Sequence, residues 1–267
     1  MSTAPSTIAT DLSGRRVPPL GGFNLTALKL EIRRLTRNRR TIIIAIVLPV
    51  VLYVAFGLNK SYTTQPAGHG NVSAFVMISV ALYGAVLSTT FGGAMVSLER
   101  AQGWSRQLRL TPLSPVAYIA MKILTALVLG GCSVAAVFIV GDISNKPAMS
   151  VGLWIATGVS VWIGSLLFAA FGLFLGYLLP AENVMQLIGL ILAALSFAGG
   201  LFIPVSQFAQ GVQEVAKWTP LYGLNQLVHT PLLGNGVDWT WAVNVVAWLI
   251  IFAGGAALRM RRDTGRV

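Results

Sequence analysis

The chain has 267 residues, of which 55% are hydrophobic and only 10% charged, with a mean hydropathy of +0.74 and a net charge of +11. Soluble domains carry about 25% charged residues, so this composition excludes a soluble enzyme and implies a surface that mostly faces lipid. The apolar runs have the length of membrane helices, about 20 residues, whereas barrel strands read as alternating stretches of about ten.

The positive charge does not point to nucleic acid, because it is segregated along the chain. Sixteen of the 19 Lys and Arg lie before residue 41, in the 99–110 stretch, at Lys122 or after residue 258. Only Lys60, Lys146 and Lys217 occupy the other set of loops. This is the asymmetry expected of a cytoplasmic face, with anionic phospholipid as its first partner. One cysteine, Cys132, excludes an intrachain disulfide, and two histidines 160 residues apart do not form a metal site.

Residues 1–22 begin Ser/Thr/Pro-rich without apolar period and read as a disordered cytoplasmic tail. Asn24 then caps a helix in which Leu25, Leu28, Ile32 and Leu35 recur at three- and four-residue spacing, with Lys29, Arg33, Arg37 and Arg40 between them. That pattern predicts an amphipathic helix in the membrane interface. Residues 23–267 read as a single membrane domain with six spans, roughly 41–58, 73–97, 116–141, 151–179, 183–202 and 239–258. The first run starts behind a long basic segment and reads as a retained anchor rather than a cleaved signal. An even number of spans leaves both termini cytoplasmic. Tyr53, Trp154, Trp239 and Trp241 fall near the outer ends, at headgroup level, and Tyr118 and Tyr177 near the inner ends. The sequons at Asn24 and Asn71 are short enough to arise by chance.

Between spans two and three lies a polar, basic island, Glu99-Arg-Ala-Gln-Gly-Trp-Ser-Arg-Gln-Leu-Arg-Leu-Thr-Pro-Leu-Ser-Pro115. It reads as a short docking helix offered to a soluble partner, with Trp104, Leu108 and Leu110 as apolar contacts and Arg100, Arg106 and Arg109 as charge. Glu99 is its only carboxylate, able to pair with a partner's arginine or with Arg100 and Arg106. Arg106 and Arg109 could equally touch phospholipid. Thr111-Pro112 ends the helix, since the residue before proline leaves the α region.

The turn at 179–183 forces a hairpin between spans four and five. Glu182 and Asn183 fit a helix cap with solvated charge; the alternative is a gate at the mouth of a transport path. Asn183 and Gln186 are the candidates for lining that path, because polar groups in a membrane rarely face lipid. Gly172 and Gly176 form a small-xxx-small pair of the kind that packs neighbouring helices. In the 203–238 connection Pro204 breaks span five, residues 205–218 carry a helical apolar pattern that Pro220 stops, and Leu221–Leu227 starts another short run. These pieces predict re-entrant or surface helices capping the outer end, with His229 a polar outer-surface residue.

Two stretches resemble a known family. The island, with Gly103 and Thr111-Pro112, is similar to the coupling loop of permease subunits of the ABC transporter type-2 class, the drug, antibiotic and polysaccharide exporters. Gly199-Gly-Leu-Phe-Ile-Pro204 followed by Lys217-Trp-Thr-Pro-Leu-Tyr222 resembles that family's outer element, with Gly200, Pro204, Trp218, Pro220 and Tyr222 as its marked positions. Many members carry further acidic residues after the loop glycine; here Trp104 and Arg106 occupy that stretch. The resemblance implies an all-α membrane fold and a coupling surface of Glu99, Arg100, Gly103, Trp104, Arg106, Gln107, Arg109, Thr111 and Pro112. It further implies two copies of an ABC ATPase subunit as partners and a second permease copy.

The chain holds no phosphate-binding loop of the G-x-x-x-x-G-K-[ST] type. No cofactor is therefore expected on this chain, with ATP and Mg on the partner subunit, and no catalytic residues are expected. The expected function is export of a hydrophobic or amphipathic small molecule. Few charges lie within the spans, which leaves little for proton or sodium coupling. An intramembrane enzyme would need titratable groups at mid-depth that the spans do not offer. A non-transporting assembly or signalling module is the competing reading.

Overall fold

The computed structural model describes residues 19–103 and 113–264. The fold is all-helical apart from a single pair of two-residue strands among the described residues. A 3-10 turn (Pro19–Gly22) leads into α1 (Leu25–Arg37), whose capping residue is Asn24: its side chain accepts from the Thr26 amide at 2.8 Å. The tail expected to be disordered over 1–22 is thus ordered in its last four residues. The Gly21 carbonyl accepts from the Ser114 amide at 2.7 Å, which pins the turn to the start of a later helix.

The first apolar run is one continuous helical stretch built of α2 (Arg39–Ile42), a π turn (Ile43–Val47) and α3 (Leu48–Gly57). It runs from Arg39 to Gly57 and so follows the expected 41–58 run closely. A π turn leaves backbone carbonyls off the α ladder. Here the Ala45 carbonyl accepts from the Ser88 hydroxyl at 3.2 Å. Next come α4 (Lys60–Thr64) and a hairpin of β1 (Pro66–Ala67) and β2 (Gly70–Asn71), paired Pro66 to Asn71 and Ala67 to Gly70.

Five helical stretches among the described residues are long and apolar enough to cross a membrane. The first joins α5 (Val72–Ala94) to α6 (Val96–Ala101) through a bend at Met95. Then come α7 (Pro115–Ser144), α8 (Val151–Gly164) joined to α9 (Leu166–Leu178) at Ser165, α10 (Ala181–Ala198), and α13 (Trp239–Thr264). Between the last two stretches lie a 3-10 turn (Val205–Gln207), α11 (Gln210–Lys217) and α12 (Pro220–Leu233). The helical pattern expected from residue 205 therefore begins as a helix only at Gln210. Span five also ends before Pro204: α10 stops at Ala198 and Gly200 takes φ +76°, a left-handed conformation natural to glycine. The Asn225 amide donates to the Gly199 and Gly200 carbonyls at 3.3 and 3.0 Å and holds that break.

The bundle is organised around α5, which packs on α7 and α9, while α9 also meets α13 and α12 packs on α13 and α8. In the most apolar stretch of α5–α6, 78% is buried, against 22% in α10 and 11% in α13. The α5–α9 contact is close because of glycines. A Cβ at Gly172 would run into the Thr90 carbonyl, and one at Gly176 would lie 3.1 Å from the Ala94 carbonyl. The small-xxx-small pair thus joins two helices of one chain. Tyr53 is 0% exposed, covered by protein against Gly57.

Candidate coupling site

The site forms where the chain turns from α6 toward the island. Val96–Ala101 continues the α5 stretch beyond its bend and so carries Glu99 off the axis of α5, toward α1 and α7. Gly103, at φ +73°, ends the turn and donates its amide to the Arg100 carbonyl at 3.0 Å. On the other side Ser114 caps α7, accepting from the Ala117 amide at 3.2 Å, with Pro115 in the first turn where its missing N–H costs nothing.

Glu99 is buried, only 2% exposed. One carboxylate oxygen, Oε2, accepts from the Tyr118 hydroxyl. The other, Oε1, accepts from Lys122 Nζ of α7 and from the Arg34 guanidinium of α1 at 3.0 Å. Lys122 also donates to Glu31 of α1, and Arg34 lies 4.0 Å from the same carboxylate. Two carboxylates and two cations thus form a charge-balanced cluster across three helices. Lys122 is itself buried, and its ammonium sits 5.4 Å from the Tyr118 ring centroid. A buried ion needs this full set of partners, because an unpaired one is penalised by several kcal/mol.

The neighbouring Arg100 points elsewhere. Its guanidinium donates to the Gly176 and Tyr177 carbonyls at 3.0 and 3.2 Å and lies 5.3 Å over the Tyr177 ring. It therefore holds the C-terminal end of α9, where the carbonyl ends of the helix favour a cation. In this conformation the Glu99 carboxylate is enclosed by Arg34, Lys122 and Tyr118 of its own chain. Trp104, Arg106, Gln107, Arg109, Thr111 and Pro112 lie outside the described residues.

Asn183 and Gln186 are exposed on α10, whose capping position is Pro180, so neither Glu182 nor Asn183 caps it. They share the outward side of that helix with Leu190, 70% exposed, and Phe197, 51% exposed. The opposite end of the bundle carries Gly200, Pro204, Trp218, Pro220 and Tyr222. Pro220 is buried in the first turn of α12, while Trp218 is 77% exposed. His229 is 2% exposed, not on the outer surface as expected. Its ring contacts Ser79 Oγ at 3.1 Å and the Asn225 carbonyl at 2.9 Å, and lies against Phe75 with centroids 4.2 Å apart. Burial pushes its imidazole below the ordinary histidine value, with the backbone carbonyls opposing in part.

Tyr118, Glu31 and Arg34 escaped the sequence reading as members of this site, and Lys122 entered only as part of the basic count. Lys122 left a signal all the same: a lone lysine in an apolar run needs a buried acid. Glu31 is the one acid in an otherwise basic helix.

Comparison with known proteins places these features in a family. Residues 24–230 match the family model described as ABC-2 type transporter. YvfS of Bacillus subtilis (strain 168), provisionally named a transport permease, is 25% identical over 226 residues, covering 83% of this chain and 90% of that protein.

Proposed function

The chain belongs to the ABC-2 type transporter family, and from that premise we propose that it is the permease subunit of an ATP-driven exporter of hydrophobic or amphipathic compounds. It is a multi-pass membrane protein whose family's permease domain lacks the nucleotide-binding domain, and ABC-2 permeases pair with ATPase subunits. In the proposed assembly two copies of this chain stand over two copies of an ABC ATPase, which holds ATP and Mg. The basic end faces the cytoplasm of a bacterial cell, and residues 23–267 act as one permease domain.

One observation carries the coupling scheme: Glu99 is held by Arg34 of α1 and by Lys122 and Tyr118 of α7. The island begins directly at Glu99 and returns at Ser114, whose amide is bound to the Gly21 carbonyl. A push on the island is therefore transmitted at both of its ends to the α1 region and to α7. In this scheme Gly103, Trp104, Arg106, Gln107, Arg109, Thr111 and Pro112 form the surface that meets the ATPase. Glu99 is the tie behind that surface and Arg100 the tie to α9. Asn183 and Gln186 are proposed on the path of the cargo, and Gly200, Pro204, Trp218, Pro220 and Tyr222 shape its outer closure. A shift between two states of the bundle needs their free energies to lie within a few kcal/mol.

The test is recovery of the chain from its native membrane, followed by ATPase assay of the eluate. An equimolar soluble ATPase, lost when Arg106 and Arg109 are both changed to Glu, is the expected result. An intact chain eluted without ATPase overturns the reading in favour of a membrane assembly module.

A further inference from the structure

At the end of the bundle opposite Glu99, α11, α12 and α13 enclose a cavity of about 690 Å³. That volume is in the range of small-molecule sites. Its aromatic lining is unusually dense. Trp218 and Tyr222 border it on one side, and Trp239, Trp241 and Trp248 on the α13 side, so four of the chain's seven tryptophans meet here. The walls are fixed to each other by side chain to main chain bonds. Trp248 Nε1 donates to the Trp218 carbonyl at 2.9 Å, and the Asn244 amide donates to the Lys217 carbonyl at 3.0 Å. Gly223 permits the close approach behind them, since a Cβ there would stand 2.8 Å from the Trp241 carbonyl.

Charge and polarity are graded along this cavity. Glu214 and Lys217 pair at 2.7 Å and cancel. Asp238 has no ion pair among the described residues; its carboxylate accepts from the Thr240 amide at 2.9 Å. That bond keeps it below the usual carboxylate range and so charged. The groove is thus net negative on a chain of +11. From Asp238 the lining runs down α13 through Val243, Ala247 and Ile251, at one-turn spacing. At 1.5 Å per residue, the stretch from Asp238 to Ile251 extends about 20 Å. Val243 and Ile251 are more than half exposed, so the apolar end of the groove opens on the side of α13 that the chain leaves uncovered.

We propose that this groove binds an alkylammonium amphiphile, its cationic head among the aromatic faces beside Asp238 and its chain along Val243, Ala247 and Ile251. Aromatic faces attract a cation electrostatically, most strongly when it is partly desolvated, and tryptophan is the best of them. A neutral amphiphile gains only the apolar stripe, and an anionic one meets Asp238. The ammonium could belong to a free amphiphile or to a membrane lipid headgroup, and the chemistry of recognition is the same. The site does not depend on the transport role, because occupancy is read on the purified chain.

The probe is 11-bromoundecyltrimethylammonium, whose bromine quenches tryptophan on contact, titrated into the full-length chain in phosphatidylglycerol nanodiscs. Its neutral counterpart is 11-bromoundecanol. Saturable quenching is expected, with half-saturation at about a tenfold lower concentration for the cation than for the alcohol. Asp238→Asn, which keeps the acceptor that caps α13, should raise the cation's midpoint about tenfold and leave the alcohol's unchanged. Trp239→Leu, at a residue 71% exposed, should weaken the cation again without unfolding the helix. Equal midpoints for the two probes, or an Asp238→Asn chain that matches the wild type, would overturn the proposal. Replacing half of the lipid with phosphatidylethanolamine separates the sources. A ratio of Asp238→Asn to wild-type midpoints that falls toward one identifies the bilayer's own headgroups as occupant; an unchanged ratio identifies the free amphiphile.

Discussion

Arg34 of α1 and Lys122 of α7 share one acceptor, Oε1 of Glu99. The two helices converge on an acid supplied by a third, and Lys122 also binds Glu31 of α1 directly. The α1 helix is thus held to the bundle by a buried charge as well as by Leu35, which is 6% exposed.

Removing the acid alone should therefore be costly. Glu99→Leu leaves Lys122 with Glu31 only and Tyr118 without its acceptor, a loss on the order of 3 kcal/mol. Lys122→Met should cost a similar amount. The double variant should recover part of the sum, because the apolar pair removes the need for compensation. Thermal midpoints of the four purified chains, compared as a double-mutant cycle, check this. Strict additivity would mean that the two residues do not interact.

The α5–α9 contact should tolerate no extra atom. Gly172→Ala places a Cβ against the Thr90 carbonyl, and backbone there cannot swing aside. A destabilisation of about 1–3 kcal/mol is expected. Gly189→Ala, at a helical position where nothing lies within 4 Å, should be neutral or slightly stabilising in the same assay.

His229 should make the protein acid-sensitive. Its folded-state pKa lies below the ordinary value because burial among Phe75, Ser79 and Asn225 disfavours the imidazolium. The unfolded chain then binds the proton first as pH falls, so stability drops on going from the ordinary histidine pKa, about 6.5, toward the lower folded value. Thermal midpoints at pH 7.5 and pH 5 should differ more for the wild type than for His229→Gln. An equal acid loss in both would assign it to other groups.

Asn71 joins more elements than its sequon suggests. Its amide donates to the Lys146 carbonyl at 2.8 Å and its oxygen accepts from the Ala74 and Ala148 amides at 2.9 and 3.0 Å. Asn71→Ala removes the α5 cap and the link to the α7–α8 loop together, for a loss of about 2 kcal/mol or more. Protection of the 145–150 amides in hydrogen exchange should fall with it. An Asn71→Ala chain with unchanged protection would show the link to be dispensable.

Periodicity and apolar length made the helices legible in sequence, because a membrane helix announces itself by composition alone. The capping residue Asn24 and the break after span five were legible in kind. The exact stop of α10 was not, since Gly200 and the distant Asn225 decide it before Pro204 can act. His229 was misread because a polar ring near the end of an apolar run looks the same whether solvent or protein covers it. The charge cluster was hidden because its members are separated by up to 91 residues and chain order carries no sign of their meeting.

The π turn at Ile43–Val47 fixes the angular phase of everything before it. A π turn holds one more residue than the α turn it replaces, and one residue of α-helix is about 100° of rotation. The face that α2 presents is therefore offset by roughly that angle from the one an unbroken helix would present. Deleting a single residue within 43–47 would straighten the ladder, withdraw the Ala45 carbonyl from Ser88 and turn Arg39 away from its present azimuth. Length at this point of the chain is thus a determinant of orientation, independent of which apolar side chains fill it.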